Sequence, residues 1–366
     1  ILSMIISKNN KHVLWKMQIN VYYIGLKFFN QENIKEYILP VLNKIIRRTG
    51  RGILMRNKLS YLFFLLFLFC SVPYLLTVVL SGKEEAKPVD FQTHTSGYTV
   101  TVSGKPMDLE AYLLGVLPTQ ISMDDEKEAL KAQAVILRTD ILRRIGDKKN
   151  ISQDSLPYKY ESDDNLQEKL GERKYKITDQ SRKQAVGETT GEVITYEGKY
   201  IQPYFHGISV GTTLSAKEWF GKEIPYLQEK DSLKDVESPE YMTGIPVTYG
   251  QVVTQLKKEN KISLSVEEAR KSIRIKEKTG NGYVKKVQVG KYVMTGEAWA
   301  KCFQLNSTNF YLEPYDGKLR MVALGKGLGL GLSQYGANEL AKDGKSYKNI
   351  LKYYYTGIQI TKMSDQ

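Results

Sequence analysis

The chain has 366 residues, enough for one large domain or two ordinary ones, and its 42% hydrophobic and 25% charged residues are typical of a globular protein. Its net charge of +13 is concentrated at the N-terminus: residues 1–59 carry 11 basic and 2 acidic side chains, whereas residues 82–366 carry 42 basic and 38 acidic ones. The near-neutral remainder excludes a strongly basic nucleic-acid-binding surface, so the charge points to a membrane instead.

The N-terminal third contains a stretch of 22 uncharged residues, Leu59–Leu80. At about 1.5 Å per helical residue, this stretch is long enough to cross the core of a bilayer. Arg56 and Lys58 precede it, and the positive-inside tendency then places the C-terminal bulk outside the cytoplasm. A cleaved signal peptide is the alternative, but the junction that follows is a poor cleavage site. The sequence predicts a single-pass protein of the cell membrane with an extracytoplasmic C-terminal domain.

This placement divides the chain into four predicted segments: a basic segment 1–58, a transmembrane signal anchor 59–81, a polar linker 82–95 and a folded domain 96–362. Met55 opens a sequence that resembles an ordinary signal-anchor start. We therefore expect residues 1–54 to lie upstream of the true start of translation. A genuine basic cytoplasmic tail is the alternative.

The cysteines give little support for a metal or a disulfide. Cys70 and Cys302 are the only two, and Cys70 lies within the apolar stretch. No CxxC pair or Cys/His cluster with zinc spacing occurs. The sequence predicts neither a metal nor another cofactor.

The first half of the predicted domain has clear local signals. Residues 98–109 predict two strands joined by a Gly-Lys turn, and 109–117 predict a helix with Asp108 as its N-cap. Apolar residues at three- and four-residue steps predict a long helix over 124–144. The polar segment 147–175 is typical of a long surface insertion.

The second half predicts further hairpins and helices. Its predicted elements are a short helix at 178–188, a hairpin at 191–206 with Glu197-Gly198 at its turn, irregular structure over 207–240, partly helical segments at 246–256 and 265–271, a hairpin at 282–296, and helices at 298–305, 332–343 and 347–355. The fold class is therefore α+β: a single mixed domain with hairpins and several helices, preceded by one N-terminal transmembrane helix.

Five blocks in a fixed order carry a family resemblance. They are DLEAYLLGVLPTQIS (108–122), EALKAQAVILRTDIL (128–142), the segment from YFHGISVGTT to the acid after PYL (204–232), TGNGYVKKVQVGKYVMTGEAW (279–299) and GLSQYGANELAKDGKSYKNILKYYYTG (331–357). Together they resemble the domain shared by stage II sporulation protein D and the amidase-enhancer cell-wall proteins. Each block alone is a weak signal, but their order over about 260 residues is specific.

The resemblance implies binding to peptidoglycan glycan strands during sporulation and engulfment. In the sporulation protein itself it also implies lytic transglycosylase activity, which cleaves between N-acetylmuramic acid and N-acetylglucosamine. That reaction needs a carboxylic acid that protonates the glycosidic oxygen and then accepts a proton from the sugar hydroxyl. The family supplies this acid as a Glu in a short S-E-M-P segment.

This chain departs from the family at two ionisable positions. Alignment of Gly115-Val116 and of the following Glu-Ala-Leu-Lys places Gln120 where the family has its catalytic Glu. An amide has no proton to give at neutral pH. In the last block, Leu328 stands where the family usually has a His. These two changes predict weak or absent catalysis.

A neighbouring acid is the alternative source of the missing proton. Glu110 also matches a family position and is the candidate substitute, although an acid near a helix start has a structural explanation. Asp124, Asp125 and Glu126 are interpreted in the same way, as residues that cap and begin the next helix.

The resemblance also implies a set of groove residues that contact the glycan. These are Lys131, Gln133, Arg138, His206, Ser209, Thr212, Ser333, Gln334 and Tyr335. For Arg138 a pairing with a structural acid is the stronger interpretation, and for His206 a hydrogen-bonded histidine at a strand end is an equal alternative.

Two classes of function follow. One is a membrane-anchored protein that acts on glycan strands in the manner of the lytic transglycosylases. The other is a non-catalytic glycan-binding scaffold, or an enhancer of a partner cell-wall amidase or endopeptidase. Gln120 argues against the first class, whereas the intact 128–142 and 331–357 blocks favour a retained fold.

Overall fold

The computed structural model describes Phe91 and residues 96–363, in which helices alternate with short sheets. The helices are α1 (Leu109–Gln120), α2 (Lys127–Ile145), α3 (Asp163–Gly187), α4 (Ala216–Phe220), α5 (Tyr249–Asn260), α6 (Val266–Ser272), α7 (Gly296–Cys302), α8 (Gln334–Lys342) and α9 (Tyr347–Tyr354). The strands are β1 (Thr99–Val102), β2 (Lys105–Asp108), β3 (Asn150–Ser152), β4 (Glu192–Tyr196), β5 (Lys199–Tyr200), β6 (Phe205–His206), β7 (Met242–Val247), β8 (Arg274–Lys278), β9 (Val284–Val289), β10 (Tyr292–Thr295), β11 (Phe310–Tyr315), β12 (Lys318–Leu324), β13 (Leu332–Ser333) and β14 (Gln359–Lys362). The predicted α+β class is confirmed for these residues.

The N-terminal predictions concern residues that the structure does not describe. The predicted anchor 59–81, the basic segment 1–58 and all of the linker 82–95 except Phe91 lie outside the described residues. Within Phe91 and 96–363, none of the helices has the length and apolar character needed to cross a bilayer. The anchor and the extracytoplasmic placement stay predictions.

The predicted strand–turn–strand–helix unit at the start of the domain is confirmed. β1 and β2 pair antiparallel, and the Asp108 carboxylate caps α1 by accepting from the Glu110 backbone N–H at 2.9 Å. Pro118, in the last turn of α1, has no N–H for the carbonyl of Leu114. The Arg182 guanidinium donates to that carbonyl instead, at 3.0 Å. A residue far along the chain thus completes the end of the helix that carries Gln120.

The segment predicted as a surface insertion, 147–175, is more ordered than its composition indicated. β3 pairs parallel with β1, and α3 begins at Asp163, so the predicted short helix at 178–188 is only the second half of α3. Gly171 interrupts α3 with a φ of 72°. The helix buries only a few side chains, so it lacks the apolar period that predicts helices.

The second hairpin region was correctly predicted, but one neighbouring strand was missed. β9 and β10 pair antiparallel within 282–296 and join β8 in one sheet. The segment 246–256, predicted to be partly helical, is helical from Tyr249 onward, whereas 242–247 form strand β7, which pairs with β12. The helix α5 starts only after Thr248, which forms a capping box with Gln251. Both sheets and helices α5–α7 pack around the buried Trp299.

A two-stranded parallel pair joins two blocks that are far apart in sequence. β6 and β13 pair with Phe205 opposite Leu332 and His206 opposite Ser333. The hairpin before them, β4–β5, turns at Glu197-Gly198 as predicted. The start of α8 therefore lies beside the segment that follows His206.

A glycine at this junction is required by sterics. Gly331 has a φ of +70°, and a Cβ added there would lie 1.9 Å from the backbone oxygen of Tyr204. We expect Gly331→Ala to lower the free energy of unfolding, measured in urea, by more than about 2 kcal/mol, because the left-handed backbone and the clash both cost energy. Gly344→Ala is the control: its φ is +80° but nothing lies within 4 Å. Equal losses in the two variants would show that Tyr204 moves aside freely.

Candidate functional site

The Gln334 side chain bonds to residues of two other helices where α1 ends and α8 begins. The Gln334 amide nitrogen donates to the Gln120 backbone oxygen at 2.6 Å and to Gln133 Oε1 at 3.1 Å. Gln133 is fully buried on α2, whereas Gln120 and Gln334 are partly exposed. We call Gln120, Gln133 and Gln334 the amide cluster. None of the three side chains contains an ionisable group.

Helix starts hold the cluster in place. The Ser333 hydroxyl caps α8 by accepting from the Gly336 N–H, and Asn338, one turn after Gln334, accepts from the Glu126 N–H at 2.7 Å. The α1–α2 turn is therefore fixed against one face of α8. Thr119 fixes the other side, since its hydroxyl bonds to the carbonyls of Val116 and Lys159.

A buried carboxylate, Asp235, binds Ser333, the residue that precedes Gln334. Asp235 is fully buried and accepts from the Ser209 N–H at 2.6 Å and from the Ser333 hydroxyl at 2.7 Å. It therefore ties the loop after β6 to the cap of α8. Sequence reasoning missed Asp235, because it lies in a run of charged residues that gives no signal of burial.

His206 lies beside this carboxylate and is also buried. Its Nδ1 bonds to the Leu330 carbonyl at 3.0 Å, so Nδ1 carries the proton and Nε2 is an acceptor. Among the described residues, no group hydrogen-bonds to Nε2. Burial lowers the pKa of His206, although the Leu330 bond and the charge of Asp235 act in the opposite direction. His206 is a neutral supporting residue without a surface for glycan.

The buried histidine predicts a pH dependence. Below its ordinary pKa of 6.5, the unfolded chain binds a proton that the folded His206 does not. Stability should therefore fall as pH is lowered from about 6.5 to 5, by at most about 1.4 kcal/mol per pH unit. Urea unfolding at several pH values should show that the free energy of unfolding depends less steeply on pH in His206→Asn than in the unmodified chain. Parallel curves for the two proteins would contradict this origin.

Glu110 and Arg138 form a buried ion pair and do not reach the site. Both side chains have no exposure, and the guanidinium donates to the two carboxylate oxygens at 2.7 and 2.8 Å. Glu110 also accepts from the Gly191 N–H. This geometry corrects two sequence-based assignments. Glu110 cannot protonate a glycosidic oxygen, and Arg138 cannot bind substrate, because neither has access to one.

The other predicted groove residues divide between surface and interior. Lys131 is paired with Glu128 and Glu188, at 2.6 and 2.5 Å, and its role as a glycan contact stays a prediction. Ser209 and Ser333 are buried in the Asp235 network. Thr212 and Tyr335 are partly exposed, so their roles as glycan contacts stay predictions, as do those of Gln120 and Gln334.

An acid with an unusual pKa lies in the turn after α1. Burial is the main cause that raises the pKa of Asp125 to about 6; Asp124 and Glu126 add to the effect, and the Lys342 ammonium opposes it. The next residue, Glu126, bonds to Asn338 of α8, so this turn lies against that helix. The Asp125 carboxyl can carry a proton close to neutral pH.

Leu328, which stands where the resemblance implies a His, lies in an apolar environment. Leu328 packs against an apolar group formed by Leu214, Tyr283 and Leu330. Within Phe91 and 96–363, His, Cys, Asp and Glu side chains form no group that could hold a metal ion.

Comparisons with known proteins agree with the sequence resemblance. Residues 99–196 match a family model described as "Stage II sporulation protein". The chain is 30% identical to stage II sporulation protein D of Bacillus subtilis, over 76% of this chain and 80% of that protein. It is 29% identical to the protein of the same name from Bacillus amyloliquefaciens, over 69% and 74%. It is also 25% identical to the amidase enhancer of Bacillus subtilis, over 68% of this chain and 40% of that protein.

Proposed function

The chain belongs to the stage II sporulation protein D family, and from this premise we propose that it binds peptidoglycan glycan strands in the sporulation cell wall without cleaving them efficiently. The observation that carries the proposal is the amide cluster. At the position where the resemblance implies a proton-donating Glu stands Gln120, and the Gln334 amide links its backbone carbonyl to the Gln133 side chain.

Amides suit recognition better than proton transfer. An amide oxygen accepts from a sugar hydroxyl or an acetamido N–H, and an amide N–H donates to a hydroxyl or an acetyl oxygen. The Gln334 side-chain nitrogen donates within the cluster, and the Gln120 side-chain nitrogen donates to Thr119 Oγ1 at 2.9 Å. Their oxygens are therefore oriented acceptors for a sugar. None of these groups can protonate a leaving oxygen at neutral pH.

The proposal includes a location. The 22 uncharged residues of Leu59–Leu80, with basic residues before them, support a single-pass anchor in the cell membrane with the folded domain outside the cytoplasm. The glycan strands would then be accessible to this domain.

The experiment mixes the full chain, kept in mild detergent, with purified intact sacculi to measure binding and with purified peptide-free glycan strands to measure cleavage. We expect the protein to sediment with the sacculi and to release from the strands no anhydro-muramyl ends detectable by mass spectrometry. Gln334→Leu should weaken the affinity for sacculi, measured by cosedimentation, about fivefold to tenfold, which corresponds to the loss of one or two hydrogen bonds. Gln228→Leu is the matched control, because this exposed amide donates only to the carbonyls of Ile224 and Pro225. Absence of sedimentation would overturn the proposal.

Asp125 favours a second candidate, a slow lytic transglycosylase. Its pKa of about 6 lets it alternate between acid and base near neutral pH. In that case anhydro ends appear with the unmodified chain, and Asp125→Asn abolishes them. Asp124→Asn is the control, since Asp124 is highly exposed in the same turn.

A third candidate rests on the amidase enhancer among the similar proteins. On this view the domain stimulates a separate cell-wall amidase. Adding the full chain to a purified amidase and sacculi would then raise the rate of peptide release, and no change in that rate would exclude this role.

A further inference from the structure

A second concave site lies away from the amide cluster. A cleft of about 490 Å³ opens between β8, the loop 280–282 and the start of β11. Its wall combines two tyrosine rings, two asparagine amides and one ammonium group with apolar backing: Tyr241, Tyr311, Asn281, Asn309, Lys278 and Val210. Clefts with flat aromatic faces and a few oriented polar groups are typical of ligand sites.

The aromatic faces continue outside the cleft. Tyr311 and Tyr315 are 41% and 52% exposed, although large aromatic side chains are usually buried. Because side chains alternate along a strand, these two rings lie on the same face of β11, separated by about 13 Å. The Arg320 guanidinium lies 4.6 Å from the Tyr315 ring centre. A row of exposed tyrosines with a polar rim fits the C–H faces of successive sugar rings.

The amides of the cleft are fixed by the fold. Asn309 donates through Nδ2 to the Asn281 carbonyl at 2.7 Å, and Asn281 Oδ1 accepts from the Thr279 hydroxyl at 2.9 Å. Gly282, with a φ of +95°, permits this approach, since a Cβ there would lie 3.0 Å from Asn309 Nδ2. Within the described part of the chain, Asn281 Nδ2 has no acceptor. This donor is buried in a residue that lines the cleft, and it lacks the acceptor that a ligand oxygen would supply.

The charge of the cleft selects among sugars. Lys278 is the lining residue that is positively charged, and no acidic side chain lines the cleft. Among the residues that the structure describes, no carboxylate lies within ion-pair distance of Lys278. One ammonium beside amide donors matches a sugar that carries an acyl oxygen and a single carboxylate.

One loop connects the cleft to the site already described. Val210 lines it, and the preceding Ser209 donates its N–H to Asp235, which holds the cap of α8 and hence Gln334. One loop thus contributes to both places. We propose that the cleft is a second saccharide subsite, which binds an N-acylated sugar bearing a carboxylate, of the muramic acid type. This inference rests on the proposed glycan-binding function.

The experiment titrates two soluble disaccharides into the full chain in mild detergent, using calorimetry. One is N-acetylglucosaminyl-N-acetylmuramic acid, and the other is diacetylchitobiose, which lacks the carboxylate. We expect the muramyl disaccharide to bind more tightly. Tyr311→Ala should weaken both ligands about tenfold, and Lys278→Gln should weaken only the muramyl ligand. Asn281→Asp, which replaces the donor by a negatively charged acceptor of similar size, should weaken both ligands and the muramyl ligand more.

Matched controls use similar residues outside the cleft. Tyr292→Ala removes a tyrosine that is 38% exposed, and Lys257→Gln removes an exposed lysine on α5; neither should change binding. Unchanged affinities in Tyr311→Ala and Asn281→Asp would overturn the subsite, even if the chain still sediments with sacculi. Equal loss of both ligands in Lys278→Gln would overturn its selectivity for a carboxylate. Failure of the unmodified chain to sediment with sacculi would instead overturn the glycan-binding function itself.

Discussion

Replacing Arg138 with alanine should lower the free energy of unfolding by about 3–5 kcal/mol, the usual cost of removing one partner from a buried ion pair. The guanidinium satisfies both oxygens of Glu110 and also donates to the Glu192 carbonyl at 3.1 Å. Its loss leaves a buried carboxylate with only the Gly191 N–H. Equilibrium unfolding in urea measures the change.

Two further variants identify the cause. The double variant Glu110→Leu with Arg138→Met should recover at least half of the loss, because it removes both charges and fills the volume with apolar atoms. Lys271→Ala, which breaks the exposed pair with Glu267, should change stability by less than about 1 kcal/mol. If Arg138→Ala were as mild as Lys271→Ala, the pair would not be a structural element of the core.

Introducing a carboxyl at the family's acid position should produce a gain of activity. We expect Gln120→Glu to release anhydro-muramyl ends at a rate about 10²-fold above the unmodified chain, at the lower end of the range for a general acid. The Thr119 hydroxyl already donates to the carbonyls of Val116 and Lys159, so it has no hydrogen for an ionised carboxylate. It can accept from a protonated carboxyl. This contact favours the acid form that protonates a glycosidic oxygen.

The controls separate a missing acid from a missing site. Gln120→Met, which has similar volume but no proton, should remain inactive. The double variant Gln120→Glu with Leu328→His should be at least as active as the single variant if the second change contributed to the loss. An inactive Gln120→Glu that still sediments with sacculi would mean that more than the acid has changed. Substantial activity in the unmodified chain would contradict the proposal directly.

Local sequence signals predicted the elements that depend on neighbouring residues. Asp108 caps α1 as expected, and the Glu197-Gly198 turn forms the predicted hairpin. The long helix was also found, although α2 begins at Lys127 rather than at 124. Caps, turns and apolar periods act within a few residues, so they can be identified without knowledge of the tertiary fold.

Elements that depend on distant partners were missed. β7 joins its sheet by pairing with β12, which lies more than 70 residues later in the chain. The Pro-containing sequence of β7 lacks the alternation of apolar and polar residues that predicts a strand. α3 is polar over most of its surface, and it is fixed by Arg182, which pairs with Asp163 and Asp179. Neither β7 nor the first half of α3 has a signal within its own segment.

The candidate site shows the same division. Family blocks identified Gln120, Gln334 and His206, but they could not distinguish a polar residue at the surface from one that supports it. Asp235, which the structure places beneath the cluster, belongs to no block. Its burial depends on Ser209 and Ser333, residues contributed by two other parts of the chain.

The sequence by itself determined the family and the α+β class and predicted that Gln120 replaces the family's acid, because these are properties of residue identity and order. Only the tertiary structure decided that Glu110 and Arg138 are a buried pair and that Gln133, Gln120 and Gln334 form one cluster. The physical reason is that burial and hydrogen bonding are set by residues distant in sequence. The same polar side chain is a ligand when exposed and a structural support when another element covers it.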